Sequence, residues 1–315
     1  MRQTTARVES GNKAKSELGA TLGATLGATE DMLTRLAIKD QADSGLDLVT
    51  DGQIRWYDPI SHVAGKLTNV SINGSLRFFD TNLYIRQPVI RGPFAWAVPV
   101  LRPEFEMART ASSRPVKPVM TGALTLARHS LVLDPHYQKD FARLVVDYNE
   151  ALVCEVRELA TAGATVIQID EPAILKDRQP NDLRIMAACW RRLATAKGNA
   201  KLVLNVFLGD PGPILGDLLA LPADVLALDF TCRPKLVDQV AAAKPAKALG
   251  LGLLDGGNAT LEETGAVAES LAKILPNVSA SECYLSPSAG LGSLPRDHAL
   301  AKLRQLVAIR NSFCG

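Results

Sequence analysis

The chain has 315 residues, nearly half of them hydrophobic and under a quarter charged, which is enough for one large α/β domain with a sizeable core and excludes wholesale disorder. A formal charge of +2 with no basic run gives no electrostatic footprint for nucleic acid, and no apolar stretch reaches membrane-spanning length. No leader-like start is seen, and five scattered cysteines without a C-x-x-C pair fit a reduced cytoplasmic protein.

Residues 1–29 form an irregular N-terminal segment. Thr4 to Ser10 reads as a short first strand, and a threefold Leu-Gly-Ala-Thr repeat, Leu18 to Thr29, follows as a loop or weak helix because glycine recurs every fourth residue. Met32, Leu33, Leu36 and Ala37 set a helical stripe over Glu30 to Ala42. Leu46 to Thr50 then alternates as a second strand that ends in Asp51-Gly52-Gln53. From Arg55 to Pro103 short alternating runs, among them Leu83-Tyr84-Ile85-Arg86, suggest a hairpin inserted between two strands of a larger sheet.

Pro115 to Gly122 reads as the third strand, with Arg128 and His129 after it. A long helix over about Pro135 to Gly163 leads to Val166-Ile167-Gln168-Ile169-Asp170-Glu171-Pro172, a strand breaking into two carboxylates. The second half repeats one rhythm of short apolar strand and helix. Its strands are Lys201 to Val206, Val225 to Asp229, Ala248 to Asp255 and Tyr284 to Ser286, and a final helix runs from Arg296 to Arg310. Strand starts at Val8, Leu46, Lys117, Val166, Leu202, Val225, Leu249 and Tyr284 number eight. That count predicts a single-domain (β/α)8 TIM barrel spanning residues 1–315, with a long insertion after the second strand.

In such a barrel Asp51, Gln53, Asp170, Asn205, Asp229, Asp255 and Ser286 fall at strand carboxyl ends, where chemistry collects. Asp170 and Glu171 are candidates together, although adjacent strand residues point to opposite faces. The bland reading of either is a helix cap or an arginine partner. Gly250-x-Gly252 reads equally as a phosphate cradle or as a close-packed strand.

Ile167 to Ala173, Gly45 to Gly52, Met120 to Thr125 and Leu285 to Leu291 together resemble the catalytic barrel of cobalamin-independent methionine synthase, over roughly residues 40–315. The resemblance implies transfer of a methyl group to homocysteine from a folate or, in short archaeal-type relatives, from a corrinoid. The donor would be 5-methyltetrahydrofolate or a methyl-corrinoid, the latter bringing a corrinoid protein as partner. The family's zinc, which binds the acceptor thiol as thiolate, is held by His-x-Cys, Glu and Cys. Those positions fall here on Asn205, Phe207, Asp229 and Ala289, so no zinc site and no other metal is expected.

The resemblance also places substrate contacts at Ser10, Asp51, Gln53, Asp170, Arg86 and Ser286, with His129 where a ring stacks on the pterin. Asp170 and Asp229 are the acid–base candidates, Asp51 or His129 a proton donor, Asn205, Gln53 and Arg86 orienting groups, and Glu171 a further substrate contact. The expected activity is a zinc-independent one-carbon transferase acting on a small-molecule substrate other than homocysteine. Three rivals stay open: a metal-free decarboxylase or lyase using Arg55, Arg86 and Arg91, an ordinary methionine synthase with atypical ligands, and a non-catalytic binding barrel.

Overall fold

The computed structural model describes residues 25–314; the predicted first strand, Ser10 and the repeat as far as Ala24 lie outside them. In chain order, helix α1 runs through residues 25–43, followed by α2 (Ser61–Ala64), strands β1 (Val70–Arg77) and β2 (Tyr84–Ile90), and α3 (Leu101–Ala111). Next come β3 (Val119–Thr121), α4 (Ala123–Arg128), β4 (Leu131–Val132), α5 (Pro135–Lys139), α6 (Phe141–Thr161) and β5 (Val166–Asp170). The rest is α7 (Ala173–Lys176), α8 (Asp182–Ala196), β6 (Lys201–Val206), α9 (Leu215–Ala220), β7 (Val225–Asp229), α10 (Lys235–Ala243), β8 (Ala248–Leu254), α11 (Thr264–Ile274), β9 (Tyr284–Pro287) and α12 (Arg296–Cys314).

β3, β5, β6, β7, β8 and β9 form one parallel sheet in that order, the arrangement of a (β/α)8 barrel. The predicted second strand is reduced to a single parallel bridge, Val49 to Val116, closed by Val49 N–H donating to Pro115 O and Lys117 N–H to Val49 O. Pro115 and Pro118 remove two donors from the adjoining stretch and limit the ladder to that bridge. Three further boundaries differ from expectation. Residues 25–29 of the repeat belong to α1, so Gly27 is accommodated inside a helix. The long helix is two: Asp140 leaves the helical region and its carboxylate accepts from Arg143 N–H at 3.0 Å, ending α5 and capping α6. The insertion is a true hairpin, β1 against β2, but one followed by α3.

Alternation along the strands separates two apolar regions. Ile167, Ile169, Leu202, Leu204, Leu226, Leu228, Leu249 and Leu251 point outward into the layer shared with the helices and are almost fully buried. Each such side chain is worth about 1.5–3 kcal/mol of burial. Val166, Val203, Val225 and Ala248 form a separate cluster with Leu48, Ala227 and Tyr284, the floor of the barrel lumen. Residues of the same parity face the lumen with them: Lys117, Val119 and Thr121; Gln168 and Asp170; Asn205; Asp229; Gly250 and Gly252; Ser286. A Cβ on Gly250 would meet Ala227 Cβ at 2.6 Å, and one on Gly252 would meet Leu228 O at 2.7 Å. Close strand packing, not a phosphate cradle, is therefore what these two glycines serve.

Candidate active site

Register puts Thr121, Asp170 and Asn205 side by side on β3, β5 and β6. Asp170 Oδ1 accepts from Asn205 Nδ2 at 2.9 Å and from Gln168 Nε2 at 2.8 Å. Gln168 Oε1 in turn accepts from Lys117 Nζ. The lumen thus carries one polar chain, Lys117–Gln168–Asp170–Asn205, whose lower end is level with the apolar floor. Burial pushes the Asp170 carboxyl above the usual carboxylate range; Asn205, Gln168 and the Lys117 charge pull the other way. Burial lowers Lys117, and the charge of Asp170 opposes this. A carboxylate with raised proton affinity and one oxygen, Oδ2, without a protein partner among the described residues is suited to accept a proton from a bound substrate. Sequence reading missed Lys117 and Gln168 as site residues. The signal was present as polar residues at alternating positions within otherwise apolar strands.

A second group gathers on the neighbouring strands. Asp229 Oδ1 accepts from Thr231 N–H at 2.8 Å and Thr231 Oγ1 at 2.7 Å, closing a turn at the end of β7. Asp255 and the exposed Cys232 are close enough for their charges to interact, and Cys232 is raised by burial and by Asp229. Ser286 pairs across Gly252 at the level of Asp229.

Other sequence candidates lie elsewhere. Glu171 points away from the lumen: its carboxylate accepts from Leu124 N–H (3.0 Å), Thr125 N–H (2.9 Å) and Thr125 Oγ1 (2.7 Å), capping α4. It is 3% exposed, and burial pushes it up to about 7. The substrate-contact reading of Glu171 is corrected on this geometry, because β-strand alternation sends it to the helix layer. The approach is so close that a Cβ on Gly122 would lie 2.2 Å from the Glu171 carboxyl.

Asp51 likewise leaves the lumen, since Leu48 faces the floor and Val49 the helices. It accepts from Gln53 N–H (3.2 Å) and Gln53 Nε2 (2.9 Å), and with Glu104 it lines a small cavity against α3. Gly52 and Gln53 both hold left-handed φ angles of 76° and 51° to make this turn. Asp51 and Gln53 are thus satisfied by each other.

His129 is 5% exposed and donates Nδ1–H to Thr125 O at 2.8 Å, with Phe78 and Phe79 of the hairpin 4.9 and 4.6 Å from its ring. It anchors the insertion, so its proton-donor reading is corrected: its imidazole is covered by two phenyl rings, and burial lowers its proton affinity. Arg86 stacks 3.6 Å over Tyr57 and lies 3.7 Å from Asp58, on the outer side of the hairpin. Arg55 is engaged by Asp31 and Thr34, so Arg55 and Arg86 do not form a cationic mouth with Arg91.

At the four positions that the resemblance assigns to zinc, Asp229 alone keeps a customary zinc donor. Phe207 and Ala289 carry no ligating atom, and Asn205 turns its amide nitrogen to Asp170. Among the described residues no group of three or more His, Cys, Asp or Glu side chains is arranged to hold a metal ion. None of their helices is long and apolar enough to cross a membrane.

Comparison with known proteins is consistent over nearly the whole chain. Residues 4–311 match the family model described as cobalamin-independent synthase, catalytic domain. A methionine synthase of Methanothermobacter marburgensis is 26% identical over 280 residues, 88% of this chain and 87% of its own. One from Saccharolobus islandicus is 29% identical over 272 residues, covering 86% and 80%. A solved B12-independent methionine synthase from Shewanella, in complex with selenomethionine, superposes with a TM-score of 0.77 at 22% identity, covering 92% of this chain and 90% of that one.

Proposed function

Because the chain belongs to the family of cobalamin-independent synthase catalytic domains, we propose that it is a methyltransferase working without zinc on an acceptor other than homocysteine. The donor is 5-methyltetrahydrofolate or a methyl-corrinoid, the latter presented by a corrinoid protein. The observation that carries this reading is the Asn205 amide donating to Asp170 at a position where the family has a zinc ligand. A thiol acceptor depends on zinc to become a thiolate, whereas a nitrogen, oxygen or acidic carbon acceptor depends on a placed base.

In the proposed step the acceptor's electron pair forms a bond to the methyl carbon. The bond from that carbon to the donor breaks with its electrons left on the donor, and the acceptor's proton passes to Asp170 Oδ2. A folate donor's nitrogen then takes a proton from water at the mouth. Asn205 and Gln168 hold Oδ1, while Asp229 and Ser286 shape the opposite wall. This keeps Asp170 and Asp229 as site residues and leaves Glu171, Asp51 and His129 as supports.

The test is to incubate purified protein with carbon-13 methyltetrahydrofolate or methylcobalamin, after chelation and after zinc addition, with homocysteine and with a panel of small amine, hydroxyl and carbon acids. Methyl loss from a donor to an acceptor other than homocysteine, undiminished by chelation, is expected. Zinc-dependent methionine formation would identify an ordinary methionine synthase. No consumption of either donor would remove methyl transfer altogether.

A further inference from the structure

Lys117 is a half-buried lysine inside a barrel lumen, with no carboxylate within ion-pair distance among the described residues. Its ammonium instead donates to an uncharged amide, Gln168 Oε1. That choice has a directional consequence. An ammonium offers only donors, so the Gln168 oxygen has to face Lys117 and its nitrogen has to face Asp170. The same nitrogen then meets Asp170 Oδ1 at 2.8 Å, beside the Asn205 amide at 2.9 Å. An ionised Asp170, which only accepts, asks for the same orientation, since the flipped amide would set an oxygen against the carboxylate. Once Asp170 has taken up a proton it can donate to the flipped amide, and the donor-only ammonium below is what forbids that flip.

We propose that Lys117 is the positioning residue of this site: by fixing the orientation of the Gln168 amide it holds Asp170 with Oδ1 anchored and Oδ2 left for the substrate. Register supports the placement. Val119 pairs with Gln168 and Thr121 with Asp170, so Lys117 lies one lumen layer below Gln168 and two below the reacting carboxylate. It is therefore out of reach of a substrate seated at the Asp170 level and acts only through the amide. The inference deepens the reading of Asp170 as proton acceptor and rests on it for its kinetic part.

The test uses the full chain labelled with nitrogen-15 at glutamine side chains, in wild type, Lys117→Met, Gln168→Leu and the double variant. In wild type the Gln168 NH2 pair is expected to be protected from exchange and held at one shift; in Lys117→Met it moves and loses protection. With whichever methyl donor the carbon-13 assay finds consumed, Lys117→Met is expected to lower kcat by about tenfold to a hundredfold, the scale of a misplaced reacting group, while KM for the donor stays within about twofold. Gln168→Leu should cost a similar factor, and the double variant no more than Gln168→Leu alone. A Gln168 resonance unmoved by Lys117→Met, or losses that multiply in the double variant, would overturn the proposal. Should Lys117→Met fail to fold, Lys117→Gln keeps a donor but adds an acceptor. Two Gln168 amide resonances are then expected, and a single unshifted one overturns the assignment. If wild type turns over no methyl donor, the functional reading has failed, and the amide resonance alone decides the claim about Lys117.

Discussion

The carboxyl of Asp170 is held by two amides while burial raises its proton affinity, so it takes up protons at a pH where ordinary carboxylates are already ionised. The base form is lost as pH falls through that raised value, which moves the acid limb of a rate profile above the usual carboxylate range. Asp170→Asn is expected to lower methyl transfer by about a hundredfold or more, the usual worth of a placed base. Folding stability should be unchanged or higher, because the variant no longer confines a charge; a rate loss accompanied by unfolding would count against a catalytic role. The placement of Asp170, Asn205, Asp229 and Ser286 near strand carboxyl ends was readable from sequence because strand ends announce themselves. Lys117 and Gln168 were not, since a polar residue within a strand shows its direction only once register is known. Asp51 and Glu171 misled for the same reason, each being one residue out of phase with the lumen.

At the scale of elements, Glu171 binds β5 to α4 by satisfying two helix N–H groups and a threonine hydroxyl. Its proton affinity is raised to about 7 from an ordinary 4.5, so the protonated form is the one the fold favours. Its contribution is complete below about pH 4.5 and is lost as pH climbs through about 7. A shift of that size corresponds to roughly 3 kcal/mol. Chemical denaturation of wild type and Glu171→Gln between pH 5 and pH 8 should show the wild-type advantage shrinking by up to that amount; an advantage that grows with pH contradicts the assignment. Helix and strand periodicity gave β5 to β9 and α12 within a few residues. It missed residues 25–29 of α1 and the α5/α6 break, where one side-chain cap outweighs a continuous apolar stripe. The second strand was overdrawn because flanking prolines on its partner are invisible to its own alternation.

For the whole molecule, α12 joins the two ends of the described chain. Arg296 binds Asp40 of α1 in a fork of two 2.7 Å bonds, and Arg310 reaches Asp47 and Gly45 O. These are largely exposed and contribute little each. Lys302 differs: it is fully buried and donates at 2.7 Å to Glu262, whose Oε1 also accepts from Asp255 N–H. Lys302→Met should therefore cost about 3 kcal/mol by stranding that carboxylate. The double variant Lys302→Met with Glu262→Leu should recover part of the loss in a denaturant titration. No loss in the single variant would mean that Glu262 is served by water.

The hairpin is fastened at both ends. Its root joins β4 through Val89 and Ile90, and its tip holds the barrel through Asp80 to Lys176 at 2.9 Å and through Phe78 and Phe79 on His129. A strip clamped in this way behaves as a beam, not a flap, and its two tip clamps answer to different solvents. The ionic one is exposed on the Asp80 side and is screened by added salt, whereas the aromatic one is indifferent to it. Since Lys176 belongs to the short helix just past Asp170, ionic strength reaches the rim of the lumen through the strip's far end while leaving its root in place.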